Sequence, residues 1–133
     1  MARAKAKRSL GLVEELLAEK SAVLSKAQAL TIMGMAQTAQ PLWASAASLE
    51  ERIAPLLDAY GDDLEAAVHR LSAASCYEKA GDASRAANLY RAALAGPLRA
   101  VTRTEVEGML AVCLARLKAS SPPRKARKVA SAS

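Results

Sequence analysis

Apolar residues recur along most of the chain at the three- and four-residue steps of an α-helix. Near the start these steps join a set of four residues: Leu10, Val13, Leu17 and Leu24. Charged residues occupy the other side, which is typical of an amphipathic helix that buries one face. We expect this helix to begin near Ser9, whose hydroxyl suits a cap position. It is predicted to run to about Gln40, because Pro41 is the first strong stop, unless Gly34 bends or divides it.

A second helical region is predicted from Pro41 to Tyr60. Pro41 suits the first turn of a helix, and Ser48 with Glu51 has the spacing of a capping box. Pro55 must kink or restart the helix, because proline lacks the backbone N–H.

Three further helices are predicted beyond residue 61. The first begins after Asp62, which has capping-box spacing with Glu65, and ends at Gly81. Asp82 is expected to cap the next helix, which Gly96 and Pro97 stop. The last covers about residues 98–118, with five residues predicted to face inward: Val106, Leu110, Cys113, Leu114 and Leu117.

The composition favours the same architecture. Of 133 residues, 32 are Ala and 18 are Leu, and there is no Phe. β-branched and aromatic residues are scarce, whereas the strong helix formers dominate. The sequence therefore predicts an all-α fold of about five antiparallel helices, in one domain of ordinary size.

The formal net charge of +6 is distributed unevenly. Its excess comes from eight cations near the two ends: Arg3, Lys5, Lys7, Arg8, Arg124, Lys125, Arg127 and Lys128. Residues 9–120 hold 11 basic and 13 acidic side chains and sum to −2. We therefore predict a basic N-terminal tail at 1–8, a single helical domain at 9–120 and a basic C-terminal tail at 121–133.

The tails have two interpretations. They are flexible, solubilising ends, because short charged segments bury too little apolar area to fold. Alternatively, they neutralise phosphates and give salt-sensitive, non-specific affinity for DNA or RNA, or for another acidic surface. No aromatic residue is interleaved with the cations, so base stacking is not expected.

One segment resembles a known family. Tyr77, Ala86 and Tyr90 reproduce the aromatic–small–aromatic steps of a tetratricopeptide repeat, and Gly81-Asp82 falls at that family's tight turn. Residues 64–98 are therefore similar to one such helical hairpin. Arg70 stands where the family has a large apolar residue, and the closing proline is displaced to Pro97.

The resemblance implies a protein-binding scaffold with a concave groove. Flanking helices or another copy of the chain would complete the stack, because one hairpin cannot bury its apolar faces alone. It places Val68, Leu71, Ser75, Glu78 and Lys79 at groove positions. This set is not a carboxylate clamp, so an apolar or mixed partner surface is expected.

The run from Ala27 to Leu49 contains no charged residue. It is either a helix buried on several sides or an interface for a partner or a second subunit. In the second case Met33, Met35, Leu42 and Trp43 would be exposed anchors, since Met and Trp are enriched at interfaces. The run is too polar to span a membrane.

No motif indicates an enzyme. His69 is the single histidine and has no paired metal ligand, and neither a phosphate loop nor a nucleophile elbow occurs. Cys76 and Cys113 are expected to be buried small hydrophobes without a disulfide, which with the absence of a signal peptide predicts a cytoplasmic protein. No cofactor and no metal are expected.

The function predicted from the sequence is a non-enzymatic protein–protein interaction module, an adaptor or scaffold subunit that presents a helical surface. Its predicted partner-binding residues are Trp43, Met35, Val68, Leu71, Ser75 and Lys79. Two alternatives stay open: a nucleic-acid-associated protein that acts through its tails, and a subunit of a homo-oligomeric assembly.

Overall fold

Five α-helices form nearly all of the chain that the structure describes. The structure is a computed structural model, and it describes the backbone of residues 2–120 and the side chains of Arg8 and residues 10–120. The helices are α1 (Ala2–Ile32), α2 (Ala36–Tyr60), α3 (Asp63–Lys79), α4 (Ala83–Leu94) and α5 (Ala100–Ser120). No strand occurs within residues 2–120, so the prediction of an all-α fold is confirmed.

Each helix packs mainly against its neighbours in the sequence. The extensive contacts join α1 to α2, α2 to α3, α3 to α4 and α4 to α5. Because the connections are short, successive helices run antiparallel. This arrangement is compatible with a stack of helical hairpins, in which α1 and α5 are the two outermost helices.

α1 begins at Ala2, ahead of the start predicted at Ser9. Residues 2–8 are only Ala, Arg and Lys, all strong helix formers, and nothing in them breaks a helix. The helical backbone therefore extends through most of the segment predicted as the N-terminal tail. The predicted C-terminal tail, 121–133, lies outside the described residues.

Gly34, and not Pro41, divides the first two helices. Gly34 has φ +80°, a left-handed conformation that glycine adopts without a Cβ penalty, and the N–H of Met35 donates to the carbonyl of Leu30 at 2.9 Å. α2 then runs through both Pro41 and Pro55, so the predicted start at Pro41 is wrong.

The predicted capping box at Ser48 is also wrong, because Ser48 lies in the middle of α2. A continuous buried face explains why α2 is not interrupted. It includes Ala39, Trp43, Ala46, Ala47, Leu49, Glu50, Ile53, Ala54 and Leu57. Burial of this face over the whole helix outweighs the one helical hydrogen bond lost at each proline.

The aspartate caps are as predicted. The side chain of Asp62 accepts from the N–H of Glu65 at 3.3 Å, and that of Asp82 accepts from the N–H of Arg85 at 3.1 Å. Between α3 and α4 the chain turns at Gly81, with φ +84°. A Cβ there would lie 3.4 Å from the side-chain nitrogen of Gln40, so the turn also lies against the start of α2.

α5 packs through the face predicted for it, with one exception. Val106 and Cys113 are fully buried, and Leu110 and Leu117 are half-buried. Leu114 is 38% exposed, because it follows Cys113 and is rotated about 100° from it around the helix. Arg103 fixes α5 to α4 by donating to the carbonyls of Leu94 at 2.7 Å and Gly96 at 3.1 Å.

The core is built from small residues and a few large rings. Ala39, Ala46, Ala47, Ala74 and Ala86 have no exposed surface, and all lie in one cluster with Trp43, Tyr77 and Tyr90. Alanine allows neighbouring helices to approach closely, and the rings fill the remaining space. The Tyr77 hydroxyl donates to Glu51 of α2, and the Tyr90 hydroxyl donates to Glu78 of α3 at 2.5 Å.

Enlarging one of these alanines is expected to destabilise the fold. Ala86→Leu should lower the free energy of unfolding by about 1–3 kcal/mol, because a packed site has no room for the added atoms. Urea denaturation measures the change. Ala92→Leu on the exposed side of the same helix is the control and should change it by less than about 0.5 kcal/mol. Equal effects of the two substitutions would contradict close packing at Ala86.

Candidate protein-interaction surface

An apolar groove lies between the first half of α3 and the segment that leads from α4 into the first turn of α5. Its volume is about 290 Å³, and it is lined by Leu64, Val68, Leu71 and Leu98 together with Glu65, Arg99 and Thr102. We call it the α3–α5 groove. Leu64, Val68 and Leu71 stand at i, i+4 and i+7 and so share one face of α3.

Two of the groove side chains are unusually exposed for apolar residues on a packed helix. Leu64 is 46% exposed and Val68 is 44% exposed, although each belongs to the apolar face of α3. Glu65 and Arg99 carry opposite charges at the same groove. The site therefore offers apolar contact with one charge of each sign, and no strong electrostatic preference.

The structure brings together two of the residues that the sequence predicts to bind a partner. Val68 and Leu71 both line the α3–α5 groove. Ser75 is half-buried and Lys79 is exposed further along α3, and neither lines it. Contact of these four residues with a partner stays a prediction.

Trp43 is part of the core. Its side chain is 4% exposed, its indole N–H donates to the hydroxyl of Thr31 at 3.2 Å, and the Lys79 ammonium lies 4.6 Å from the ring centroid. The expectation of an exposed anchor at Trp43 is therefore wrong, and the alternative of a buried helix describes this position. The ring is covered because α1 and α3 pack on either side of α2.

Unlike Trp43, the two methionines of the uncharged run are exposed. Met33 is 69% exposed and Met35 is 43% exposed, and both lie in the connection between α1 and α2. Since α2 starts beside the end of α3, this connection is at the opposite end of the stack from the α3–α5 groove. Met35 and Val68 therefore do not form one surface.

A buried charge cluster joins the first three helices. Glu50 of α2 is 2% exposed, and one oxygen of its carboxylate accepts from the ammonium of Lys20 in α1 at 3.0 Å. The other lies 2.5 Å from Nδ1 of His69 in α3. The single histidine is thus a structural partner of Glu50, half-buried between helices.

The partners of Glu50 keep it ionised. Burial alone raises the pKa of this carboxyl, but hydrogen bonds to His69 and Lys20 and the electrostatic interactions with them outweigh it. The pKa of Glu50 is therefore lower than its usual 4.5. An ionised carboxylate with two partners satisfies the hydrogen-bonding needs that burial imposes.

Glu50 was not predicted to be buried, although its position in the sequence carries a signal. Glu50 stands at the helical spacing of Ala46, Ala47 and Ile53, so an acid occupies a position of the buried face. An acid at such a position requires a cation or a donor on a neighbouring helix. The identity of those partners, Lys20 and His69, follows only from how α1 and α3 pack.

Further ion pairs join other helices. Arg70 of α3 pairs with Asp58 of α2, and Arg116 of α5 pairs with Glu78 of α3 at 3.3 Å. The second pair spans the same two helices that form the α3–α5 groove. It fixes the end of α5 relative to α3, while the groove lies at the other end of both helices.

The two cysteines are free and buried. Burial, together with the charge of Glu78, raises the pKa of the Cys113 thiol to about 11, and burial raises that of Cys76 as well. A thiol that is buried and protonated at neutral pH is a poor nucleophile. Within the described residues no group of His, Cys, Asp and Glu side chains is arranged to hold a metal ion.

Comparison with known proteins finds no relative of this chain. No protein-family model matches it, and no curated protein and no solved structure matches it either. The helices of the described region include none that is long and apolar enough to span a membrane. The interpretation of the α3–α5 groove therefore depends on its own geometry.

The charge of Glu50 is expected to make stability depend on pH in the acid range. Its folded pKa is below the unfolded value, so its contribution is present above pH 4.5 and is lost as the pH falls through the lowered pKa. Glu50→Gln should cost about 2–3 kcal/mol at neutral pH, because it leaves Lys20 without its carboxylate. The difference from the wild type should shrink below pH 4.5.

Urea denaturation of both proteins at a series of pH values measures this difference. Glu15→Gln on the exposed side of α1 is the control and should change stability by less than about 0.5 kcal/mol. A difference between wild type and Glu50→Gln that is the same at all pH values would contradict an ionised Glu50.

Removing the Trp43 ring is expected to destabilise the fold. Trp43→Ala should lower the free energy of unfolding by about 3–5 kcal/mol, since it leaves a cavity between three helices. Thermal unfolding followed by circular dichroism measures the loss. Met33→Ala, at a side chain that is 69% exposed, should leave the melting temperature nearly unchanged. A Trp43→Ala protein of wild-type stability would show that the ring does not fill the core.

Proposed function

We propose that this protein is a non-enzymatic protein–protein interaction module, an adaptor or scaffold subunit with tetratricopeptide-like hairpin packing. It holds an apolar face of a partner helix in the α3–α5 groove. The observation that supports this most directly is the groove itself, with Leu64 and Val68 half-exposed on the apolar face of a packed helix.

The hairpin packing supports the proposal. Tyr77, Ala86, Tyr90 and Ala93 are at most 3% exposed, so the residues that resemble the family's signature lie at the contacts between helices. In that family the first helices of successive hairpins line a concave groove. Here α3 would be the first helix of one hairpin and α5 the first helix of the next. α3 lines the α3–α5 groove with four residues, and α5 contributes Thr102, with Leu98 and Arg99 just ahead of it.

The size of the groove indicates what it accepts. Its volume of about 290 Å³ is at the lower limit of small-molecule sites, which span about 300–1,000 Å³. A space of this size suits one or two apolar side chains of a larger partner. An amphipathic helix supplies them at i and i+4, and its polar side can meet Glu65 and Arg99.

The positions of the histidine and the two cysteines also favour a binding function over an enzymatic one. His69 is engaged by Glu50, and both thiols are buried. No cluster of these groups lies at the α3–α5 groove, which is lined mainly by aliphatic side chains. Binding without chemistry is therefore the function that its composition favours.

The two alternative functions, nucleic-acid binding and self-association, depend on different parts of the chain. The nucleic-acid alternative depends on eight cations of which only the side chain of Arg8 lies among those described, and residues 9–120 sum to −2, so it stays a prediction. Self-association concerns the outer side of α5, which does not contribute to the groove.

Site-specific photo-cross-linking in the source cell tests the groove. A benzophenone amino acid at Val68 should cross-link one partner protein, and the same group at Ser21, exposed on α1, should not. Adding Leu64→Glu to the Val68 probe should abolish the adduct, because a carboxylate in the groove opposes an apolar partner. Ser72→Glu, outside the groove lining, is a control that should leave the adduct in place if the protein stays folded.

Cross-linking from both Val68 and Ser21, or from neither, would contradict the groove as the binding surface. A partner adduct that Leu64→Glu leaves unchanged would contradict it as well. Circular dichroism of each variant shows whether the helical fold is kept.

A further inference from the structure

The outer side of α5 presents an uncharged apolar stripe to solvent. Its six apolar residues are Val101, Gly108, Ala111, Val112, Ala115 and Ala119, and all are exposed. Val101 is 73% exposed and Val112 is 48% exposed. Thr104 is the one polar residue among them, and its hydroxyl donates to the carbonyl of Ala100 within the helix at 3.2 Å. We call this surface the α5 outer face.

The exposed side of α1, the other outermost helix, carries charged residues. On its exposed side α1 carries Glu14, Glu15 and Lys26 among small residues such as Ala18 and Ala22. A polar outer surface of this kind keeps the end of a helical stack soluble. α5 is also outermost and packs mainly on α4, yet its outer face has no charge. The α5 outer face therefore has the character of a helix–helix contact surface.

Charged residues flank the α5 outer face in a self-complementary order. Helical periodicity places Glu105 and Arg116 along one flank, and Glu107 and Lys118 along the other. On both flanks the acid comes in the first half of α5 and the base in the second half. Arg116 also pairs with Glu78 of its own chain, but its side chain is still 60% exposed.

We propose that the α5 outer face is a homodimer interface, in which α5 of a second copy packs antiparallel across a two-fold axis between Ala111 and Val112. This axis brings Glu107 of each copy near Lys118 of the other, and Glu105 of each near Arg116 of the other. A parallel pair would instead bring acid to acid and base to base. Self-association through α5 is separate from the adaptor function, since Thr102 is the one residue of this helix that lines the groove, and it does not belong to the α5 outer face.

The residues of the α5 outer face fit a close helix pair. A Cβ added at Gly108 would meet nothing within 4 Å, so the backbone there is open to an approaching helix. Gly108, Ala111 and Ala115 are small enough for a second helix to come near, and the two valines add apolar area. A two-fold interface of this kind is isologous, because the same patch serves both copies.

The size of the surface sets the expected strength. α5 has 21 residues, and at 1.5 Å per residue it is about 30 Å long. A strip of that length and one helix wide is smaller than the roughly 800 Å² per partner of a stable interface. The dimer is therefore expected to dissociate on dilution.

Sedimentation equilibrium tests the dimer over about 10 μM to 1 mM, the range in which weak association is measurable. The mass of the full chain should rise from 13.9 kDa toward twice that value. Val112→Lys should raise the dissociation constant at least about tenfold, because it places two like charges at the axis. Ala22→Lys, on the exposed side of α1, should leave it unchanged.

Charge exchange tests the antiparallel register. Glu107→Lys alone should raise the dissociation constant about three- to fivefold, and Lys118→Glu alone should do the same, because each leaves like charges opposed at two symmetry-related contacts. The double variant should restore the wild-type value. Each variant changes an exposed residue, so thermal unfolding should show that the fold is kept.

Three results would overturn the proposal. The first is a protein that stays monomeric throughout the concentration range, and the second is association that Val112→Lys does not weaken. The third is a mass that rises beyond that of a dimer, as in an open array of unlike contacts. A double charge variant weaker than both single variants would reject the antiparallel arrangement even if a dimer forms.

Discussion

A single buried carboxylate constrains how the first three helices pack. Glu50 lies on the buried face of α2 and is held by Lys20 from α1 and His69 from α3. A charge at this depth is tolerated only where both partners are in place. The cluster therefore fixes the rotation of α1 and α3 about their own axes, because another register would leave the carboxylate without a donor.

Beyond the Glu50 cluster, the helices of the stack pack through small residues. Alanines with no exposed surface line the contacts among α2, α3 and α4, and the hydroxyls of Tyr77 and Tyr90 each reach a glutamate of the preceding helix. α4 thus lies close behind α3, while Arg103 fixes the start of α5 to the end of α4. The α3–α5 groove arises where the chain leaving α4 passes beside the first half of α3 before α5 begins.

Local signals predicted the parts of the fold that local physics decides. Asp62 and Asp82 cap their helices as their spacing indicates. Val68 and Leu71 both line the groove, and their contact with a partner stays a prediction. The burial of Trp43 could not be predicted from local signals, since an uncharged run of this kind suits either a core or an interface. The predicted helix start at Pro41 is wrong, because burial of the whole α2 face outweighs the one hydrogen bond that proline removes.

The sequence by itself determined that this is an all-helical protein of about five helices, because caps, glycine turns and apolar periodicity act within a few residues. It also determined the charge balance along the chain. Only the tertiary structure decided which apolar residues are covered, which cation meets Glu50, and where a groove opens. Those outcomes depend on contacts between helices distant in sequence, and each helix is amphipathic enough to permit more than one rotation against its neighbours.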